Sequence, residues 1–154
     1  MGLDVLCQAK AGMGKTAVFV LTVLNRLSDS TEQGEVSCLV LAHTRELAYQ
    51  ISNEFGRFSV NFQNFKTQVI IGGENLNEQV DKLKTEKPQV VVGTPGRVLA
   101  LIKKKVLETK NVKIFIIDEC DKMLQELGNL TKLTQICVQM FKLSSKLLLL
   151  RNKS

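Results

Sequence analysis

Five short, almost unbroken apolar runs punctuate this chain: DVLCQ, SCLVLA, TQVIIG, QVVVG and KIFIID. Runs this short and continuous suit strands of a parallel sheet, which helices cover on both faces so that neither side needs polar residues. Between the runs the apolar spacing becomes helical. Val20, Val23, Leu24 and Leu27 fall at i, i+3, i+4 and i+7, and Leu133, Ile136, Cys137 and Met140 repeat the pattern. Leu47, Ile51, Phe55 and Phe58 make a comparable stripe. Strand and helix in alternation predict an α/β domain, a mostly parallel sheet with helices on both faces. A chain of 154 residues suits one such domain. The late stretch KLLLL stays open, because four leucines fit a strand or a helix.

Each run gives way to a polar segment. DVLCQ leads into AKAGMGKT, SCLVLA into HTREL, TQVIIG into GE, QVVVG into TPGR and KIFII into DECD. Ligands of open α/β sheets bind outside the carboxyl ends of the strands, so these five segments predict one polar rim and one functional surface.

AKAGMGKT, residues 9–16, has the parts of a phosphate-binding loop between a strand and a helix. Gly12 and Gly14 let the backbone amides turn inward, Lys15 reaches toward terminal phosphates, and Thr16 offers a hydroxyl for Mg²⁺. Ala9 stands where the general pattern has glycine, a place where a small residue still fits. DECD then has a reason to exist. A carboxylate at a neighbouring strand end orders the Mg²⁺ held by the loop hydroxyl, which points to Asp118, and Glu119 is placed to orient or deprotonate water. Thr44, Arg45, Gly72, Gly73, Thr94, Gly96 and Arg97 bring hydroxyls, exposed amides and two arginines to the remaining strand ends. That inventory suits contacts to a sugar-phosphate backbone, or else simple helix caps and turns. Few aromatics lie nearby, so stacking on bases is not indicated. Lys103, Lys104 and Lys105 come after VLALI and read as the cationic close of a helix.

A net charge of +6 and a pI near 9.2 favour polyanionic partners. Four scattered cysteines with no C-x-x-C pair argue against a disulfide framework and for a reducing compartment, with no disulfide-linked partner. The single histidine, His43, argues against a histidine-rich metal site. Early polar residues exclude a signal peptide, Leu6 breaks the myristoylation pattern, and no apolar run is long enough to span a bilayer. The expectation is a soluble, intracellular protein without a membrane partner.

In their order, these motifs resemble those of the DEAD-box ATP-dependent RNA helicases across essentially residues 1–125: AKAGMGKT, TRELA at 44–48, Gly72-Gly73, TPGR at 94–97 and DECD. The DECD variant is most similar to the subfamily acting in splicing and messenger-RNA export, which implies a nuclear location and partners from those processes. The resemblance implies a RecA-like P-loop NTPase fold with ATP and Mg²⁺ as cofactors. It places nucleotide on Ala9, Lys10, Ala11, Gly12, Met13, Gly14, Lys15 and Thr16. Lys15, Asp118 and Glu119 become catalytic, Thr16 and Asp118 hold the metal, and Asp121 couples to a second lobe. Thr44, Arg45, Gly72, Gly73, Thr94, Gly96 and Arg97 hold the RNA backbone. The implied mechanism is ATP-driven closure of two lobes on single-stranded RNA.

The chain also departs from the family pattern. A glutamine-containing motif and an aromatic upstream of the first strand are missing, as is Ser-Ala-Thr where this sequence reads LLLLRNKS. The second lobe, with its arginine fingers, is not present. Residues 1–154 therefore read as a truncated first lobe with an atypical tail over 144–154. Position 43 is His where most of the family has Pro, a change expected to alter loop rigidity rather than chemistry. Two expectations result: a helicase-family ATPase lobe, or a catalytically incompetent fragment that binds RNA, nucleotide or helicase partners. The missing finger implies slow hydrolysis by this chain alone, since such a residue is worth roughly a thousandfold or more. A small-molecule P-loop kinase is disfavoured, because TRELA and TPGR have no use there.

Overall fold

The computed structural model of the protein describes residues 4–10, 12–28, 35–125, 127–141 and 146–152. Strands and helices alternate: β1 (Val5–Ala9), α1 (Lys15–Ser28), β2 (Cys38–Leu41), α2 (Arg45–Phe58), β3 (Thr67–Ile70) and α3 (Leu76–Glu86). The chain continues through β4 (Val90–Gly93), α4 (Pro95–Lys103), β5 (Ile114–Ile117), α5 (Cys120–Gln125), α6 (Leu127–Phe141) and β6 (Lys146–Asn152). All six strands pair in parallel in the order β1-β6-β5-β2-β4-β3.

The central strands are short and buried from end to end. Every residue of β2 and of β4 is buried. Their side chains alternate between two cores, as a pleated strand requires. Cys38, Val40, Val90, Val92 and Ile116 meet Phe19, Val20, Val23 and Leu24 of α1 and Ala48, Ile51 and Phe55 of α2. Leu39, Leu41, Val91, Phe115 and Ile117 face the other way, onto Leu83 of α3, Val98 and Leu101 of α4, Met123 of α5, and Leu133, Ile136 and Met140 of α6. The three stripes expected from helical spacing thus lie on the cores that the strands leave open. Phe19 and Phe65 flank Phe55 at centroid distances of 6.3 and 6.1 Å, within the range of aromatic pairing.

One sequence expectation needs revision, and one open reading is settled. Coverage on both faces fails at β1, an edge strand where Val5 and Leu6 are exposed. KLLLL, which fits strand or helix by composition, forms β6. It lies between β1 and β5, with Leu148 opposite Val5 and Leu149 opposite Ile117. No helix among the described residues is long and apolar enough to cross a membrane. The four cysteines are free thiols, and burial pushes the Cys38 thiol up beyond any physiological titration.

Candidate functional site

The loop from β1 to α1 turns twice through left-handed backbone, with φ of +77° at Gly12 and +73° at Gly14. Nothing would crowd a Cβ at either position, so glycine is favoured there for its backbone freedom rather than for space. Lys15 opens α1, and its Nζ donates to Lys10 O at 3.0 Å, which folds the side chain back over the loop. The first turn of α1 carries no acidic residue to offset the positive helix end. Ala9 ends β1. Lys10 and Met13 are exposed beside the turn, with Met13 N–H donating to Lys10 O at 3.4 Å. Ala11 lies outside the described residues.

Across from this loop, the end of β5 supplies two carboxylates. Asp118 N–H continues the sheet by donating to Leu41 O at 3.0 Å, and its carboxylate accepts the Glu119 N–H at 2.9 Å. Asp118 is only 3% exposed, and burial raises its carboxyl from the ordinary 3.8 to about 6. A buried carboxylate of this kind is short of positive charge. Glu119 sits at φ +49°, uncommon for a residue with a side chain, and its Oε2 lies 2.9 Å from Lys122 Nζ and 3.3 Å from His43 Nδ1. Gly12, Gly14, Lys15, Thr16, Asp118 and Glu119 share one cleft of about 660 Å³ with Gln50, Glu54 and Arg57 of α2. The donor set fits Mg²⁺, which binds through one or two carboxylates, a hydroxyl, waters and substrate phosphates rather than in an all-protein cage. Among the described residues no group of three or more metal-ligating side chains makes such a cage. Asp121, one turn on, is half-buried, and its Oδ1 has no hydrogen-bond partner among the described residues.

A second cleft, of about 480 Å³, opens at the ends of β2, β3 and β4. Thr44, Arg45, Gly72, Thr94, Gly96 and Arg97 line it together with His43, Asn129 and Lys132. Gly73 stands behind the lining, against Arg45. Thr44 caps α2 by accepting from Leu47 N at 3.1 Å, and Thr94 precedes Pro95 at the start of α4 without a side-chain cap bond. Arg97 is held in place: Nη1 donates to Gln79 Oε1 and Nη2 to Glu74 O, both at 3.0 Å. Gln79 is 3% exposed, and its amide nitrogen donates to Ile71 O at 3.1 Å and to Glu74 Oε2 at 2.8 Å. Tyr49 of α2 donates to the other Glu74 oxygen. That hydroxyl first, and the Gln79 amide second, hold the Glu74 carboxyl below its ordinary range.

The seven residues assigned to this side from sequence are therefore neighbours, while the network behind them was missed. One signal was available for Gln79. It lies three residues after Leu76 and four before Leu83, so an amide interrupts the apolar stripe of α3. Glu74, Tyr49 and Lys132 carried no comparable mark. His43, expected from sequence to bear on loop rigidity, has its Nδ1 3.3 Å from Glu119 Oε2, a contact that a proline could not make. Lys103 and Lys104 close α4, in agreement with their reading as a helix end.

The profile of the DEAD/DEAH box helicase family matches residues 1–150. The chain belongs to the DEAD-box family. Among its relatives, DEAD-box ATP-dependent RNA helicase 15 of Arabidopsis thaliana is 60% identical over 127 residues, which cover 82% of this chain and 29% of the relative. The chain thus spans less than a third of that protein. The yeast DEAD-box splicing factor Prp28 shares the fold at a TM-score of 0.89 and 29% identity, over 97% of this chain and 36% of that one. Mss116p, solved with single-stranded RNA and AMP-PNP, matches at a TM-score of 0.88 and 26% identity, over 96% of this chain and 31% of that one. In this DEAD-box chain the family motifs converge on two clefts at one edge of a RecA-like sheet.

Proposed function

We propose that residues 1–154 form the first RecA-like lobe of an ATP-dependent RNA helicase, taking Mg·ATP in the first cleft and single-stranded RNA backbone in the second. The observation that carries this reading is the placement of both clefts at the carboxyl ends of one sheet, with β2 running between them. Lys10, Met13 and the amides around Gly12 and Gly14 wrap the phosphates, and Lys15 leaves Lys10 O to pair with the terminal one. Mg²⁺, held by Thr16 and Asp118, supplies charge neutralisation at the phosphates. Glu119 orients the attacking water. Thr44, Gly72, Gly73, Thr94 and Gly96 contact sugar-phosphate through hydroxyls and amides, and Arg45 and Arg97 add charge. Asp121, whose buried Oδ1 has no hydrogen-bond partner among the described residues, serves a second lobe.

The bound RNA and AMP-PNP of Mss116p support this pairing of ligands. The role of Prp28 as a splicing factor supports a place in messenger-RNA processing, with nuclear location and splicing or export proteins as partners. Calorimetric titration of Mg·ATP into the purified chain, beside Lys15→Ala, tests the first cleft. Binding in the wild type and none in the variant is expected. No binding by a folded wild-type chain would leave RNA or protein contacts alone as the function, the behaviour of a non-catalytic fragment.

A further inference from the structure

β2 lies between β5 and β4, so the loop leaving it forms the wall between the two clefts. Leu41 stands opposite both Ile117 and Gly93. Ala42 N–H still donates to Gly93 O at 3.0 Å, and His43 and Thr44 are the first residues beyond the sheet. Thr44 turns to cap α2 and lines the second cleft. His43 lines that cleft as well, while its Nδ1 reaches back to Glu119 Oε2 at 3.3 Å. The two side chains are 15% and 20% exposed, so water screens the contact little. The nitrogen is buried and makes no hydrogen bond among the described residues, and the Glu119 Oε2 oxygen stands against it. Glu119 in turn is held at a backbone angle that side chains seldom adopt, a feature that clusters at active sites and ligand clamps.

We propose that His43 is a positioning residue that ties the second cleft to Glu119 in the first. Its Nδ1–H steadies the Glu119 carboxylate, and a polyanion seated against Thr44 and Arg45 shifts His43 and, through it, that carboxylate. The Lys122 ammonium lies 2.9 Å from the same oxygen and offsets its charge. This inference takes its ligands from the proposed nucleotide and RNA clefts; the His43–Glu119 contact does not depend on them.

His43 is the chain's single histidine, so its ring nitrogens give one unambiguous set of signals in a long-range proton–nitrogen NMR spectrum. A carboxylate facing Nδ1 favours the Nδ1–H tautomer. We expect that tautomer in the wild type and a return to Nε2–H in Glu119→Ala. Binding of an oligouridylate is then measured by fluorescence anisotropy with and without Mg·AMP-PNP. The two affinities should differ by about fivefold, at the low end of coupling between sites. The ratio should approach one in His43→Ala and recover in His43→Asn, whose amide N–H stands near the place of Nδ1–H. Thermal midpoints of both variants control for folding. An Nε2–H ring indifferent to Glu119→Ala, or a ratio unchanged in His43→Ala, overturns the proposal. A wild-type chain that binds neither ligand removes the nucleotide and RNA reading and the transmission with it, while the tautomer still decides the contact.

Discussion

Gly73 and Arg45 leave no room for a side chain between them: a Cβ on Gly73 would lie 2.2 Å from Arg45 Nη1 and 2.7 Å from its Cζ. The backbone of Gly73 is also left-handed, at φ +89°. The obstructing group is the flexible end of an arginine, so Gly73→Ala displaces the guanidinium rather than the fold. The left-handed backbone adds a stability loss of about 1–2 kcal/mol. Affinity for an oligouridylate should fall several-fold as Arg45 leaves the cleft, read by anisotropy beside a urea unfolding curve. Gly56→Ala on α2 is the control for alanine replacement, because it lies outside the lining of the second cleft and nothing lies within 4 Å of its Cβ position. Unchanged RNA affinity in Gly73→Ala would separate this contact from ligand binding.

Gln79 joins Arg97, Glu74 and Ile71 through one buried amide, and its backbone carbonyl accepts from Gln68 Nε2 at 3.0 Å. Removing that amide strands polar groups in a buried place, a loss of roughly 1–3 kcal/mol. Gln79→Leu keeps the bulk and should still unfold at lower urea than the wild type. Its second effect is to free Arg97, so RNA affinity should fall without any direct contact to RNA. A cycle with Arg97→Ala checks the route, since the double variant should bind no worse than Arg97→Ala alone. Additive losses would mean that Gln79 does not act through Arg97.

How much of the molecule is legible in its sequence depends on the range of the interactions involved. Strand cores such as SCLVLA and the stripe Leu47, Ile51, Phe55 and Phe58 announce themselves because burial acts on every residue of the element. Gly12, Lys15, Thr16 and Asp118 are legible because phosphate and metal chemistry restricts residue type at fixed spacing. The Tyr49–Glu74–Gln79–Arg97 network is not, since it joins three helices and the loop before α3, whose packing only the folded chain defines. His43–Glu119 is of the same kind: the pair is 76 residues apart in sequence and meets because β2 and β5 are neighbours. β6 was ambiguous because its hydrogen bonds to β1 and β5, rather than its four leucines, decide strand over helix.

Gly93 closes β4 where the sheet passes beneath α4. A Cβ there would meet Ile70 O at 2.5 Å and Val98 Cγ2 at 2.6 Å. Unlike the arginine beside Gly73, the first of these is backbone in a neighbouring strand and cannot step aside. Gly93→Ala should therefore cost about 1–3 kcal/mol through overpacking, with a lower thermal midpoint. Nucleotide affinity should be retained in the folded fraction, because Gly93 lies away from Lys15 and Asp118. A midpoint equal to the wild type would show that β3 and β4 separate more easily than their register suggests.

The buried Asp118 carboxyl makes stability depend on pH in the direction opposite to a salt-bridged acid. Its folded value is raised to about 6 from the ordinary 3.8, so between those values the folded chain holds a proton that the unfolded chain has released. Stability from this group is therefore greatest below the unfolded value and falls as pH rises through the folded one. Above that, the full penalty stands, roughly 3 kcal/mol at most. Asp118→Asn keeps the shape, and its amide oxygen still accepts the Glu119 N–H, but it carries no charge. The variant should resist urea better than the wild type at neutral pH, and the two should converge toward about pH 4. Mg·AMP-PNP reverses the order in the proposed site, because a dication beside the carboxylate favours its charged form. The ligand should then stabilise the wild type and leave Asp118→Asn nearly unmoved. Parallel pH profiles for the two proteins would mean that Asp118 is better solvated than its burial implies, and that the metal has no buried charge to relieve.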